Sequence, residues 1–166
     1  MGRVLRDPGF VLLLASSFLG FGAHVSYDIC FSLHLQSLGV GSSGVGIAWA
    51  IGVVAEVALM AFSGPILRRF SASWLLVAAF LGGALRWALI AFVPDVTALL
   101  LLQPLHALSF ALFWVTALDL VKKRAPREVL ATAQGVFNAA VAAGAVAVAV
   151  AVAVGSSVAV GSSVAV

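Results

Sequence analysis

Residues 68–95 read RRFSASWLLVAAFLGGALRWALIAFVPD, and this stretch decides the fold. Between Arg68-Arg69 at one end and Pro94-Asp95 at the other lies a single charge, Arg86. Coiled as an α-helix rising about 1.5 Å per residue, residues 74–93 span roughly 30 Å, the thickness of a bilayer's hydrocarbon core. Barrel strands run about 9–11 residues and alternate in polarity, and no such alternation occurs here. In hydrocarbon the backbone must satisfy its own hydrogen bonds, so an unbroken apolar stretch of this length is a helix. Ser71 or Ser73 can cap its start, and Pro94 cannot continue it.

Working outward, the same pattern recurs four times. Apolar stretches at 10–35, 44–67, 96–120 and 128–154 join 74–93 to give about five expected membrane-crossing helices. The chain is therefore read as an all-α membrane protein. Composition agrees: 63% of residues are hydrophobic and 9% charged, where a soluble domain carries about 25% charged residues. Mean hydropathy is +1.19. The first stretch outruns the ~7–15-residue core of a signal peptide and more spans follow, so it is expected to be retained. Asp7-Pro8 suits its N-terminal turn. The single cysteine, Cys30, rules out an intrachain disulfide framework and is expected to be a packing residue.

The net charge of +3 does not mark a nucleic-acid binder, because the basic residues are scattered through short connections. Arg3, Arg6, Arg68, Arg69, Lys122, Lys123, Arg124 and Arg127 fall on one side of the expected topology. The connections at 39–43 and 94–95 hold neither lysine nor arginine. This asymmetry predicts a multi-pass protein of the cell inner (plasma) membrane with a cytoplasmic N-terminus. Residues 145–166 form a separate tail. Ala and Val alternate through 145–154, then Gly-Ser-Ser-Val-Ala-Val occurs twice, a low-complexity pattern that suggests no chemistry.

Charged residues near the bilayer centre cost at least ~2.5–3.5 kcal/mol on insertion scales, so each needs a reason. Asp28 lies past the middle of the first span and Glu56 at the middle of the second. Arg86 lies about 18 Å into the third and His106 about 15 Å into the fourth, counted from opposite sides. All four fall near a common depth. Arg86 can pair with Glu56 or Asp28, or hold a substrate carboxylate in its fork. His106 belongs to the residue type that exchanges protons near neutral pH, and the remaining carboxylate can carry a proton. His24 lies four residues before Asp28, on the same helix face. Tyr27 and Gln103 can add hydrogen bonds. The competing reading is that these groups are structural ion pairs. Asp119, beside Lys122 and Lys123, reads as an interfacial salt bridge.

Pro104 is expected to kink the fourth span two residues before His106. Gly20, Gly22 and the Gly82-Gly83 pair permit either close packing or bending. No metal-ligand cluster, nucleotide-binding glycine loop or nucleophile–base motif appears, so no cofactor and no enzymatic activity are expected.

Four motifs in order then carry a family resemblance: Gly22-Ala23-His24-Val25-Ser26-Tyr27-Asp28, Gly52-Val53-Val54-Ala55-Glu56-Val57, Leu85-Arg86-Trp87 and Leu105-His106-Ala107-Leu108-Ser109-Phe110. Together they resemble the C-terminal half of major facilitator transporters. The nearest likeness is to the phenylpropionate permease-like branch, related to the lactose permease and nucleoside symporter groups. Gly64-Pro65-Ile66-Leu67-Arg68-Arg69 is similar to the family's cytoplasmic loop. The resemblance covers about 9–144 and implies that the five spans match helices seven to eleven of a twelve-helix protein, so that 1–144 is a partial C-terminal bundle.

The resemblance implies transport of a small organic solute (an aromatic acid, a sugar or a nucleoside), coupled to protons. Asp28, Glu56, Arg86 and His106 become the substrate- and proton-binding set, with His24, Tyr27 and Gln103 in support. Two departures argue against lactose-type transport. Ser109 stands where lactose permease-like members carry a carboxylate, and Phe31 stands where they carry a second aspartate. Such transporters build their pathway between two six-helix halves. The implied partners are thus the solute, a proton, the lipid bilayer and an N-terminal half. The alternatives are a non-transporting truncated fragment, or a half-transporter subunit that needs a partner half.

Overall fold

A computed structural model describes residues 1–164 of the backbone and side chains through Gly155. Residues 165–166, and the side chains of the repeated hexapeptide after Gly155, lie outside the described residues. Every regular element among the described residues is helical: α1 (Pro8–Ser37), α2 (Ser42–Ala61), α3 (Ser63–Arg69), α4 (Ala72–Phe92), α5 (Val96–Leu101), α6 (His106–Ser109), α7 (Ala111–Arg124) and α8 (Leu130–Val164). Short 3-10 turns at Val4–Arg6, Gln103–Leu105 and Arg127–Val129 complete the inventory. Among the described residues, five stretches are long and apolar enough to cross a membrane: Pro8–Ser37, Ser42–Ala61, Ala72–Phe92, Val96–Arg124 and Arg127–Gly155.

The helix ends follow from local chemistry. Asp7 Oδ1 accepts from the Gly9 amide at 3.1 Å, with Pro8 at the first helical position of α1. At the other end Gly39 adopts φ 83°. The Val40 amide reaches Leu35 and the Gly39 amide reaches Gln36, the paired bonds of a Schellman cap. Ser71, not Ser73, caps α4 by accepting from the Trp74 amide at 3.3 Å. Asp95 caps α5 through the Ala98 amide at 2.7 Å.

Prolines set the breaks. The second span does not run unbroken to residue 67, because α2 stops at Ala61 and α3 carries the remainder. Pro65 explains the stop: it has no N–H to offer the Ala61 carbonyl, and its ring crowds that carbonyl. The fourth span extends to Arg124 instead of 120 and is interrupted at Gln103–Leu105, where Pro104 sits.

The chain divides into two compact units, one of Met1–Cys30 with Ala125–Val166 and one of Phe31–Arg124. In the first, Gly22 and Gly144 bring α1 and α8 together. A Cβ on Gly22 would lie 3.0 Å from the Gly144 carbonyl oxygen, and one on Gly144 would overlap the Phe18 backbone. Only glycine fits a crossing that close. Cys30 is exposed, contrary to the expectation that it packs, because it falls off the buried stripe of Leu13, Ser17, His24 and Tyr27.

In the second unit α4 packs on α7 and α6, and α2 packs on α6 and the turn before it. The buried face of α4 is Ala72, Leu75, Ala79, Gly83, Arg86 and Ile90, spaced three and four apart. Its opposite face exposes Trp74, Val77, Leu81, Leu85 and Phe92. This distribution, with large apolar side chains outside and the one charge and most of the small residues within, is what lipid contact selects.

Candidate functional site

The seven candidate residues fall into two groups, one in each unit. In the unit of Phe31–Arg124, α2 delivers Glu56, α4 delivers Arg86, the 3-10 turn delivers Gln103 and α6 begins with His106. In the other unit α1 carries His24, Tyr27 and Asp28.

The shortest link is between Glu56 and His106. His106 Nε2 lies 2.7 Å from Glu56 Oε1, with side chains only 5% and 13% exposed. Three further features hold the imidazole. Phe110 stacks parallel to it at 5.6 Å between ring centroids, one helical turn on. Trp49 meets it edge-on at 6.2 Å. Gly52 leaves room beneath it, since a Cβ there would sit 3.5 Å from the ring. Trp49, Gly52 and Glu56 occupy positions i, i+3 and i+7 of α2 and therefore share one face. That spacing was the available signal for Trp49 and Gly52, which the search for charges passes over. Phe110, four residues after His106, was marked in the same way.

Trp49 is itself fixed. Its Nε1 donates to Ser32 Oγ at 3.1 Å, and its ring meets Phe31 edge-on. Phe31, where lactose permease-like proteins are expected to have an aspartate, is thus part of the aromatic packing. Ser109, the other departure, donates its hydroxyl to the His106 carbonyl at 3.1 Å. Its Cβ faces Gly83 on α4 at a distance that leaves a Cβ there only 3.2 Å.

Arg86 is fully buried on α4. Its Nη2 donates to Gln103 Oε1 at 3.2 Å, and Gln103 Nε2 donates to the Leu99 carbonyl at 3.0 Å. In the other unit, His24 Nε2 and Asp28 Oδ1 lie 3.6 Å apart, one turn apart on α1. The His24 ring also meets Phe21 and Tyr27, each at 5.9 Å between centroids. Asp119 pairs with Lys123 at 2.6 Å, at the basic end of α7. No group of three or more His, Cys, Asp or Glu suited to a metal occurs among the described residues.

Chemically, the second unit holds a carboxylate–imidazole pair at proton-transfer distance and a buried guanidinium with planar donors. The sequence model of the MFS_1 like family matches residues 1–160. Relatives include the "Probable 3-phenylpropionic acid transporter" of Escherichia coli (strain K12), 32% identical over 76% of this chain and 33% of its own length. An uncharacterized transporter of Bacillus subtilis (strain 168) is 31% identical over 82% of this chain and 34% of its own length. The "Maltose permease" of Geobacillus stearothermophilus is 30% identical over 82% of this chain and 34% of its own length. The chain thus spans about a third of the length of the curated relatives it matches. No solved structure matches it.

Proposed function

The chain belongs to the MFS_1 like family, and from that premise we propose that it forms one wall of a pathway carrying a small organic solute across the membrane, driven by protons. The observation that carries the proton reading is the buried Glu56–His106 contact of 2.7 Å. A carboxyl and an imidazole at that distance share one proton, and a change of partner at either group releases it. Phe110 and Trp49 pack against the ring while its Nε2 meets Glu56.

The leading solute is a small aromatic acid. Arg86 presents planar, permanently charged donors that match a carboxylate, and one relative bears the name of a phenylpropionic acid transporter. The relative named as a maltose permease keeps a neutral sugar as the rival solute. Asp28, with His24 and Tyr27, contributes a second polar group from α1. An N-terminal half supplies the opposite wall in this reading, and the protein works without a cofactor. It sits in the inner (plasma) membrane with its N-terminus on the cytoplasmic side, where the basic connections gather.

Uptake of labelled 3-phenylpropionate by cells expressing the protein, with and without an inward proton gradient, tests the proposal. The expected result is gradient-dependent uptake that Glu56→Gln and His106→Ala each reduce by about 100-fold. Uptake indifferent to the gradient and unaltered in both variants sinks it.

A further inference from the structure

We propose that the basic end of the Phe31–Arg124 unit docks the headgroup of an anionic phospholipid, at a site built from Arg68, Arg69 and Lys122 and bordered by Phe62, Phe70 and Trp74. The inference goes beyond the transport reading and depends on neither the solute nor the proton.

The packing of α4 brings these residues to one level. A Cβ on Gly83 would meet Ser109 and one on Gly82 would meet Leu108. One turn back along α4, the Phe80 ring lies 5.9 Å from that of Phe113, one turn forward on the neighbouring span. The two run antiparallel, and both rise about 1.5 Å per residue. Continued to the end of the pair, this register sets Ala72 level with Leu120-Val121, and the end of α3 level with Lys122-Lys123. The packing of α3 on α7 agrees. Arg68-Arg69 and Lys122-Lys123-Arg124, far apart in sequence, therefore end at the same level.

That level is a membrane boundary. Helix α2, Ser42–Ala61, spans about 30 Å at that rise, enough to cross the hydrocarbon core. Helix α3 begins where that crossing ends. Phe62 and Phe70 flank α3, Trp74 lies in the first turn of α4, and the three are 68%, 53% and 73% exposed. Aromatic rings at this depth suit the zone between headgroups and acyl chains.

The charge there is one-sided. Of the unit's acidic residues, Glu56, Asp95 and Asp119, only Asp119 lies at this end, and Lys123 pairs with it at 2.6 Å. Arg124 makes an interaction of its own. Arg68, Arg69 and Lys122 are exposed, and no carboxylate pairs with them among the described residues. Arg68 Nη1 turns back along α3, 3.7 Å from where a Cβ on Gly64 would lie. Basic clusters at the end of a membrane span attract anionic headgroups. Here the cations suit the phosphate, and the exposed rings suit the glycerol and upper acyl chains. A soluble acidic partner would use the first and leave the second in water.

Native mass spectrometry of the purified 166-residue chain, in detergent with equal amounts of phosphatidylglycerol and phosphatidylcholine, tests the site. Phosphatidylglycerol is expected to be retained preferentially, and less so as salt is raised. Each basic residue beside an anionic headgroup contributes about fivefold, so Arg68→Gln/Arg69→Gln/Lys122→Gln is expected to weaken that retention on the order of 100-fold. Arg69→Gln/Lys122→Gln loses about 25-fold on the same scale, and it carries the test if the triple variant is not recovered from membranes. Arg3→Gln/Arg6→Gln, matched to it in charge, keeps the preference, as does Arg68→Lys/Arg69→Lys. Equal retention of the two lipids by the unsubstituted chain overturns the proposal. Equal losses in the two matched double variants also overturn it, because attraction to net charge needs no site. Displacement of the lipid by inorganic phosphate assigns the patch to a free anion and overturns it as well.

Discussion

Two spans of the Phe31–Arg124 unit solve the same problem differently. Helix α4 carries Gly82-Gly83 at its middle and runs without interruption from Ala72 to Phe92. The span Val96–Arg124 carries Pro104 and is broken into α5, a 3-10 turn, α6 and α7. Glycine keeps its N–H, so the ladder of α4 survives, and the missing side chain lets α6 approach. Proline removes a donor and crowds the preceding carbonyl, so the ladder of the other span fails. In this unit glycine sets how near two helices come, and proline sets where a side chain is delivered. Arg86 rides on the intact helix, whereas Gln103 and His106 ride on the broken one.

The largest way to break the contrast is Pro104→Ala. It restores a donor to the Leu100 carbonyl and favours a continuous helix through residues 101–106. Regular helix would rotate and shift His106 away from Glu56. Misplacement by about 1 Å at a reacting group costs on the order of 100-fold. Proton-driven uptake is expected to fall by about that factor, while thermal stability in detergent holds or rises. Undiminished uptake in Pro104→Ala would show that the break does not place His106.

Gly83→Leu attacks the other side. A Cβ at Gly83 already lies 3.2 Å from Ser109 Cβ, and the rest of a leucine has nowhere to go without parting α4 from α6. Overpacking of this kind costs about 1–3 kcal/mol. A lowered Tm in mild detergent, with the membrane level reduced, is the expected result. An unchanged Tm would mean that the crossing is looser than its geometry.

How far the sequence disclosed this contrast depends on what each residue type can announce. The five spans were legible because lipid tolerates so few charges that length and hydropathy suffice. Pro104 announced its break because a proline lacks its donor in any surroundings. Pro65 was equally capable of announcing the end of α2 at Ala61, but the apolar run to Leu67 obscured it. Gly82-Gly83 was ambiguous: glycine permits both bending and packing, and only the partner at Ser109 decides for packing. Glu56, Arg86 and His106 announced themselves as costly charges in apolar spans, and the structure keeps them largely from solvent, whereas the Asp28 side chain is 41% exposed. Their pairing was not, since depth along a helix says nothing about rotation around it. The Glu56–His106 contact and the Arg86–Gln103 bond required the helix faces, which the three-dimensional structure supplies. The aromatic setting of His106 was missed because Trp49 and Phe110 are unremarkable in an apolar chain until one asks what lies three and four residues away.

A smaller effect separates holding the imidazole from holding the tryptophan. Trp49→Phe keeps a ring beside His106 but loses the Nε1 bond to Ser32. A single neutral hydrogen bond contributes about 0.5–1.5 kcal/mol. The variant is expected to lose stability in that range and to keep its dependence on the proton gradient. Loss of gradient dependence with stability intact would assign Trp49 to the proton path instead of to packing.

The smallest expected effect is Gly82→Ala, and it sharpens the comparison most finely. Gly82 and Gly83 are neighbours in sequence but point about 100° apart around α4. A Cβ at Gly82 meets Leu108 Cβ at 3.4 Å and Leu108 Cδ1 at 3.8 Å, ordinary contact with a side chain that can turn. Against that small crowding stands a gain of roughly 0.5–1 kcal/mol from replacing glycine by alanine within a helix. The two nearly offset, so Tm is expected to stay level or rise slightly. Gly83→Ala, pressed against Ser109 on the adjoining helix, is expected to lower it. Were Gly82→Ala to destabilise as much as Gly83→Ala, the pair would be acting as a flexible joint and not as a spacer, and α4 would no longer contrast with the broken span beside it.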